Sequence, residues 1–250
     1  MKKIIIFAFT TLIVFSCKNE PLHLNKIEGK QLSVNKEINS TAAIDSLIKP
    51  YSIKVAKEMN TSLSYTPIEL NRLDGELEST LGNLMADMCY ERTNPIFNTL
   101  TGENIDFAMF NFGGIRAGIS KGEITNRNAF QLMPFENSLV VVELTVEKIN
   151  ELALYLMQQK KAHPLSKQIN LSIDKNSFDL KINNKLLDES KTYFVLTSDY
   201  LQNGGDNMIF FSNPVNLFKT DYKVRNAIID YFTANDTIKV KKDGRFRWKK

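Results

Sequence analysis

The pattern of apolar and polar positions predicts most of the elements before any residue chemistry is considered. Residues 1 to 17 (MKKIIIFAFTTLIVFSC) open with Lys2 and Lys3 and continue as an apolar run of 13 residues from Ile4 to Ser16. A membrane-spanning helix needs roughly 20 apolar residues, so the run reads as a signal peptide. Residues 18–23 read as a polar tether. The mixed alternation from Leu24 to Ile38 suggests a strand or two, and residues 41–60 suggest a helix broken or kinked at Pro50. Leu81, Leu84, Met85, Met88 and Cys89 recur at i, i+3, i+4, i+7 and i+8, which predicts a helix over 79–92. Ile105, Phe107 and Met109 alternate, predicting a strand over 104–111.

Further along, 125–132 reads as a short helix with Thr125 as N-cap. The unbroken apolar run 138–145 (SLVVVELT) suits a strand covered on both faces. Thr145 then caps a helix whose inner stripe is Val146, Ile149, Ala153 and Leu156. Two strands are expected in 168–183 around Asn176-Ser177, another strand at 193–197, and a helix at 221–233. Strands and helices intersperse without strict alternation. The expectation is therefore an α+β fold, a mixed β-sheet with flanking helices, occupying residues 24–250 as one domain.

Composition narrows the chemistry. The chain has 250 residues, two histidines (His23 and His163) and two cysteines. A dinuclear centre of several imidazoles, a three-histidine zinc site and a multi-disulfide scaffold are all excluded. His163, in Ala162-His163-Pro164, matches no ligand motif and reads as a surface-loop residue. Removing Lys2 and Lys3 from the 32 Lys+Arg leaves 30 against 28 Asp+Glu, a formal +2. No affinity for nucleic acid follows from that balance. The remaining basic excess, Lys241 to Lys250, reads as a solvated tail. Val14-Phe15-Ser16-Cys17 resembles a bacterial lipobox, so Cys17 is the expected lipid-attachment residue; a plain signal peptide with an incidental cysteine is the alternative. Cys89, on the apolar stripe, is expected to be buried.

Three segments are costly for a core and useful at a ligand. Asn111-Phe112-Gly113-Gly114-Ile115-Arg116 follows a predicted strand. Paired glycines there allow close backbone approach and Arg116 offers a bidentate fork, although a strand-ending turn with a surface arginine would look the same. In Met133-Pro134-Phe135-Glu136-Asn137 the aromatic either faces a flat ligand or plugs the core edge. Ser198 to Asn207 carries Tyr200, Gly204-Gly205 and Asp206 on another loop after a strand. Two aromatics with Asn and Asp suit a nucleobase, the ring of Tyr200 rather than its hydroxyl supplying the stacking.

Together with Leu81-Gly82-Asn83-Leu84, these motifs resemble, in order and spacing over about residues 65–248, the C-terminal domain of bacterial and animal 5′-nucleotidases. The resemblance implies an α+β domain that binds the nucleoside part of a substrate. Phe135 and Tyr200 match the two aromatics that sandwich the base. Asn111, Gly113, Gly114, Arg116 and Asp206 match further substrate-binding positions. Three departures stand out: Tyr200 replaces a commoner phenylalanine, Asn207 replaces a glycine, and Gly75 occupies the place of a substrate-holding arginine, the nearest being Arg72.

Family members also carry a separate metallophosphoesterase domain holding two divalent metals. Nothing in this sequence matches it, and no GxSxG elbow or Cys/His pair supplies a nucleophile. The expectation is a stand-alone nucleotide- or nucleoside-binding domain, with no catalytic residue, metal or cofactor of its own. It would support nucleotide hydrolysis together with a separately encoded metallophosphoesterase. The alternative is a surface lipoprotein that binds nucleosides without taking part in hydrolysis. Either would be lipid-anchored to a membrane of the bacterial cell envelope, at the cell surface or facing the periplasm.

Overall fold

A computed structural model describes residues 23–35 and 38–249. The signal peptide, Cys17 and the 18–22 part of the tether lie outside the described residues. Lys49–Lys250 form one compact unit and the residues before Lys49 another, so the sheet-bearing unit starts well after Leu24. The strands expected between Leu24 and Ile38 are absent among the described residues of that stretch, which are exposed throughout. Alternation alone does not make a strand where no neighbouring edge takes up its backbone hydrogen bonds. Helix α1 (Ala42–Met59) runs on through Pro50 and buries none of its residues. Ser46, whose carbonyl loses its donor to Pro50, is itself exposed, so water can take that carbonyl.

The centre of the larger unit is a four-stranded sheet of β2 (Phe107–Ala108), β4 (Ser138–Leu144), β7 (Tyr193–Ser198) and β8 (Asn216–Lys223). The strands lie in the order β2-β7-β4-β8. β2 runs parallel to β7, while β4 is antiparallel to both β7 and β8. Leu139, Val140, Val141 and Val142 are buried in succession. Both faces of β4 are thus covered, as its unbroken apolar run requires. Helix α2 (Thr80–Thr101) and helix α4 (Val146–Gln159) both pack against β4. α2 continues past the predicted end at 92 and through Pro95 to Gly102, which closes it in the left-handed region at φ 80°. Between them, α3 (Asn126–Leu132) starts where Asn128 Oδ1 accepts from the Thr125 backbone N–H at 2.8 Å.

Two smaller sheets complete the fold. β1 (Ser62–Thr66) pairs antiparallel with β3 (Gly122–Thr125). β5 (Ile169–Ile173) and β6 (Phe178–Ile182) form the expected hairpin, and β9 (Phe246–Trp248) adds in parallel to β5. The basic C-terminal segment is therefore no solvated tail. Phe246 and Arg245 are buried, and Arg245 lies between Asp87 and Asp243. The last helix, α6 (Val224–Ala234), begins after the predicted 221 because β8 takes Asp221 to Lys223.

Candidate functional site

Sheet register brings the three loops together. β2 and β7 are parallel, so the loops that leave them emerge at the same sheet edge. Leu139 at the start of antiparallel β4 pairs with Ser198 at the end of β7, so the loop entering β4 meets them there. The result is one cleft of about 190 Å³ lined by Asn111, Gly113, Gly114, Arg116, Phe135, Asn137, Tyr200 and Asp206. All seven residues named from the sequence for this site are among them, and Asn137 is the addition.

The glycine loop is a 3-10 turn, Phe112–Gly114. A Cβ on Gly114 would lie 2.7 Å from Asn111 Oδ1, so that glycine is required by the Asn111 side chain packed over it. Asn111 Nδ2 in turn donates to Asp206 Oδ2 at 2.7 Å, tying the first loop to the third. Arg116 is exposed, with its guanidinium carbon 5.7 Å from the Phe135 ring centroid. Arg72 does not face the cleft as a free cation. It donates to the carbonyls of Phe112 and Ile115 and stacks 4.6 Å from the Phe112 ring. A Cβ on Gly75 would lie 2.1 Å from the Glu78 carbonyl oxygen. This backbone admits no side chain at the family's arginine position, and Arg72 braces the glycine loop instead.

The second loop is held from beneath. Arg225, buried at the start of α6, donates to the carbonyls of Met133 and Phe135 at 3.2 and 3.3 Å, pairs with Glu136 and packs 4.3 Å over Phe130. With its backbone fixed this way, Phe135 keeps its ring 40% exposed in the cleft. It does not plug the core. Sequence reasoning missed Arg225, although an arginine beside Val224 and Ile228 on an apolar stripe is a legible sign of a buried, paired cation.

The third loop begins with a short turn, α5 (Asp199–Gln202), where Ser198 Oγ accepts from the Leu201 N–H at 3.3 Å. A Cβ on Gly205 would fall 2.5 Å from the Tyr200 ring, so Gly205 makes room for that ring. Asp206 and Asn207 sit in the left-handed region at φ 53° and 58°. Asn and Asp tolerate that conformation best among non-glycine residues, which is how Asn207 replaces a glycine without undoing the turn. Asp206 accepts from the Tyr200 hydroxyl on Oδ1 at 2.8 Å, and its carbonyl accepts from the Tyr155 hydroxyl at 3.1 Å. The bond to Asp206 holds the Tyr200 hydroxyl above the usual phenol range. Phe135 and Tyr200 both line the cleft and are 40% and 45% exposed.

One sequence reading changes. His163 is not on the surface: it is 5% exposed and its Nδ1 accepts from the Phe112 N–H at 3.1 Å. Leu81-Gly82-Asn83-Leu84 does not line the cleft. Gly82 N–H donates to the N-cap Ser79 Oγ at 3.0 Å, and Asn83 Nδ2 donates to Glu78 and to the Lys241 carbonyl. That motif is a helix start which anchors the C-terminal segment.

Fold and cleft together define an α+β domain whose loops build one small aromatic- and amide-lined cleft. The model of the 5′-nucleotidase C-terminal domain matches residues 62–213, and the chain belongs to that family. It is 25% identical over 234 residues to Protein UshA of Escherichia coli (strain K12), covering 88% of this chain and 40% of that protein. A segment of 98 residues, 37% of this chain, is 38% identical to the trifunctional nucleotide phosphoesterase protein YfkN of Bacillus subtilis, covering 6% of it. Among solved structures, the 5′-nucleotidase precursor from Thermus thermophilus superposes with a TM-score of 0.67 at 22% identity, over 82% of this chain and 42% of that one; this likeness bears on the fold. The chain thus spans about 40% of the length of UshA and of the Thermus thermophilus protein.

Proposed function

We propose that this domain binds a nucleotide or nucleoside in the cleft and supports nucleotide hydrolysis by a separately encoded metallophosphoesterase. The observation that carries the reading is a single cleft lined by two exposed aromatics, Phe135 and Tyr200, together with Asn111, Arg116 and Asp206. Aromatic faces stack on a base, amide and carboxylate edges discriminate its polar rim and the ribose hydroxyls, and Arg116 offers charge-assisted hydrogen bonds to a phosphate. In this reading metal-assisted attack belongs to the partner, and this chain supplies position and orientation. Lipidation at Cys17 would hold the domain at a membrane of the cell envelope, close to its substrate pool.

Calorimetric titration with adenosine and AMP tests the ligand class. Both are expected to bind, with AMP the tighter, and Arg116→Ala should erase that preference. A wild type that binds neither would end the nucleotide reading. For the anchor, Cys17→Ala is expected to release the protein from the membrane fraction; unchanged fractionation would rule lipidation out.

A further inference from the structure

A second cavity of about 290 Å³ lies on the other side of the glycine loop, sharing Gly113 and Asp206 with the cleft and walled by Gln159, Lys161, His163 and Asn207. His163 is the informative wall. Its Nδ1 accepts from the Phe112 N–H, so a neutral ring carries its proton on Nε2. That Nε2 is buried and has no hydrogen-bond partner. Buried polar groups in native proteins are almost always paired, so an unpaired donor on a residue that walls a cavity marks a place for an acceptor. The Lys161 ammonium and the side-chain amides of Gln159 and Asn207 likewise have no partner among the described residues. The one carboxylate nearby is already engaged: both oxygens of Asp206 accept bonds within the cleft, from Asn111 and Tyr200. Its carbonyl is taken by Tyr155.

We propose that this cavity is a second subsite for a small oxyanion, a phosphate or carboxylate, held by His163 Nε2–H, Lys161 and the Gln159 and Asn207 amides. The chemistry follows from the donors: the Lys161 cation and the N–H groups of His163, Gln159 and Asn207 wall one cavity whose single carboxylate, Asp206, already accepts two hydrogen bonds. The subsite is built on residues outside the nucleobase cleft, so it stands whether or not a nucleoside binds there. It touches the cleft through a shared wall, since the Phe112 N–H that fixes His163 belongs to the glycine loop.

The test uses proton NMR of the two imidazoles, with His163 assigned by the loss of its signal in His163→Gln and exposed His23 as the internal control. Inorganic phosphate, AMP and adenosine are titrated separately at constant pH. Phosphate is expected to move the His163 signal saturably and leave His23 in place. Lys161→Ala, on the rim and independent of folding, should weaken that effect about two- to fivefold, the range of an exposed charge pair. AMP acting at lower concentration than phosphate would assign the oxyanion to the nucleotide itself, and equal action would assign it to a free anion. A His163 signal unmoved by phosphate and AMP, or moved equally by chloride or in Lys161→Ala, would overturn the proposal and leave resident water as the occupant. Adenosine carries no oxyanion, so its binding reports on the cleft alone and keeps a failure there distinct from a failure here.

Discussion

The Tyr200 hydroxyl donates to Asp206 Oδ1 at 2.8 Å, binding the aromatic wall of the cleft to its carboxylate six residues later. The ring therefore does two things, and substitutions separate them. Tyr200→Ala removes a stacking face worth about 1–3 kcal/mol and should weaken adenosine binding roughly 5- to 150-fold. Tyr200→Phe keeps the face but frees Asp206, which sits in a left-handed conformation that the hydrogen bond helps to hold. From the sequence only the ring mattered; with this bond in view, Tyr200→Phe should cost about 0.5–1.5 kcal/mol of binding. Calorimetry on both variants checks the order, and equal affinity of Tyr200→Ala and wild type would remove Tyr200 from the site.

Arg225 underlies Phe135 without lining the cleft. Arg225→Met would strip the Met133 and Phe135 carbonyls of a donor and remove the stack on Phe130. We expect a loss of about 1–3 kcal/mol of stability, with a fall in Tm of about 2–4 °C per kcal/mol for a domain of this size. Glu136, largely exposed, contributes little, and Glu136→Gln should stay within about 1 kcal/mol of wild type. Thermal melts of the two variants distinguish a loop held by carbonyl bonds from one held by the ion pair.

What the sequence made legible was local. The strand-then-glycine pattern before Gly113-Gly114 and Gly204-Gly205, and the unbroken apolar run before Leu144, placed three loops at strand ends, and register then brought them together. Edge strand β8 escaped notice because its residues are half-exposed and polar, and the periodicity that marks a strand comes from burial. The burial of His163 was equally invisible. Ala-His-Pro reads as a loop, and only the tertiary contact with Tyr155, at 5.6 Å between rings, and with the Phe112 N–H encloses it. Gly82 and Gly75 illustrate a third kind of loss: each glycine answers a close backbone or side-chain approach that no single sequence displays.

Burial pulls the His163 pKa down to about 4, with Lys161 assisting and Asp206 opposing. The ordinary value is 6.5, so between these limits the unfolded chain binds more protons than the folded one. Stability contributed by the neutral ring is complete above pH 6.5 and declines as pH falls towards 4. From pH 7.5 to 4.5 the loss should be on the order of 2–3 kcal/mol. Carboxylates titrate at the lower end of the same range, so the measurement is the difference between wild type and His163→Gln in urea unfolding at both pH values. Parallel pH profiles for the two proteins would mean that His163 is not held neutral by the fold.

The final prediction concerns Arg245, which the basic composition of the C-terminus disguises. Its guanidinium is 5% exposed and reaches Asp87 at 2.9 and 3.0 Å, Asp243 at 2.7 and 2.9 Å and the Leu165 carbonyl at 2.8 Å. Hydrogen bonds and charge from both aspartates outweigh desolvation and hold Arg245 even more firmly protonated than an ordinary arginine. The planar fork is needed, because two carboxylates and a carbonyl are met from different directions. Truncation leaves Asp87 and Asp243 facing each other with no cation between them, a change worth about 3–5 kcal/mol when such a pair is buried. Both aspartates keep about a quarter to a third of their side-chain exposure, so Arg245→Ala should fall at the lower end, near ~3 kcal/mol. Arg245→Lys restores the charge without the fork and should recover only part of it. Neighbouring Arg247 is exposed, and Arg247→Ala should cost no more than about 1 kcal/mol. Guanidinium unfolding of the three variants tests this, and a loss below about 0.5 kcal/mol for Arg245→Ala would return the C-terminal segment to the role of a solvated tail.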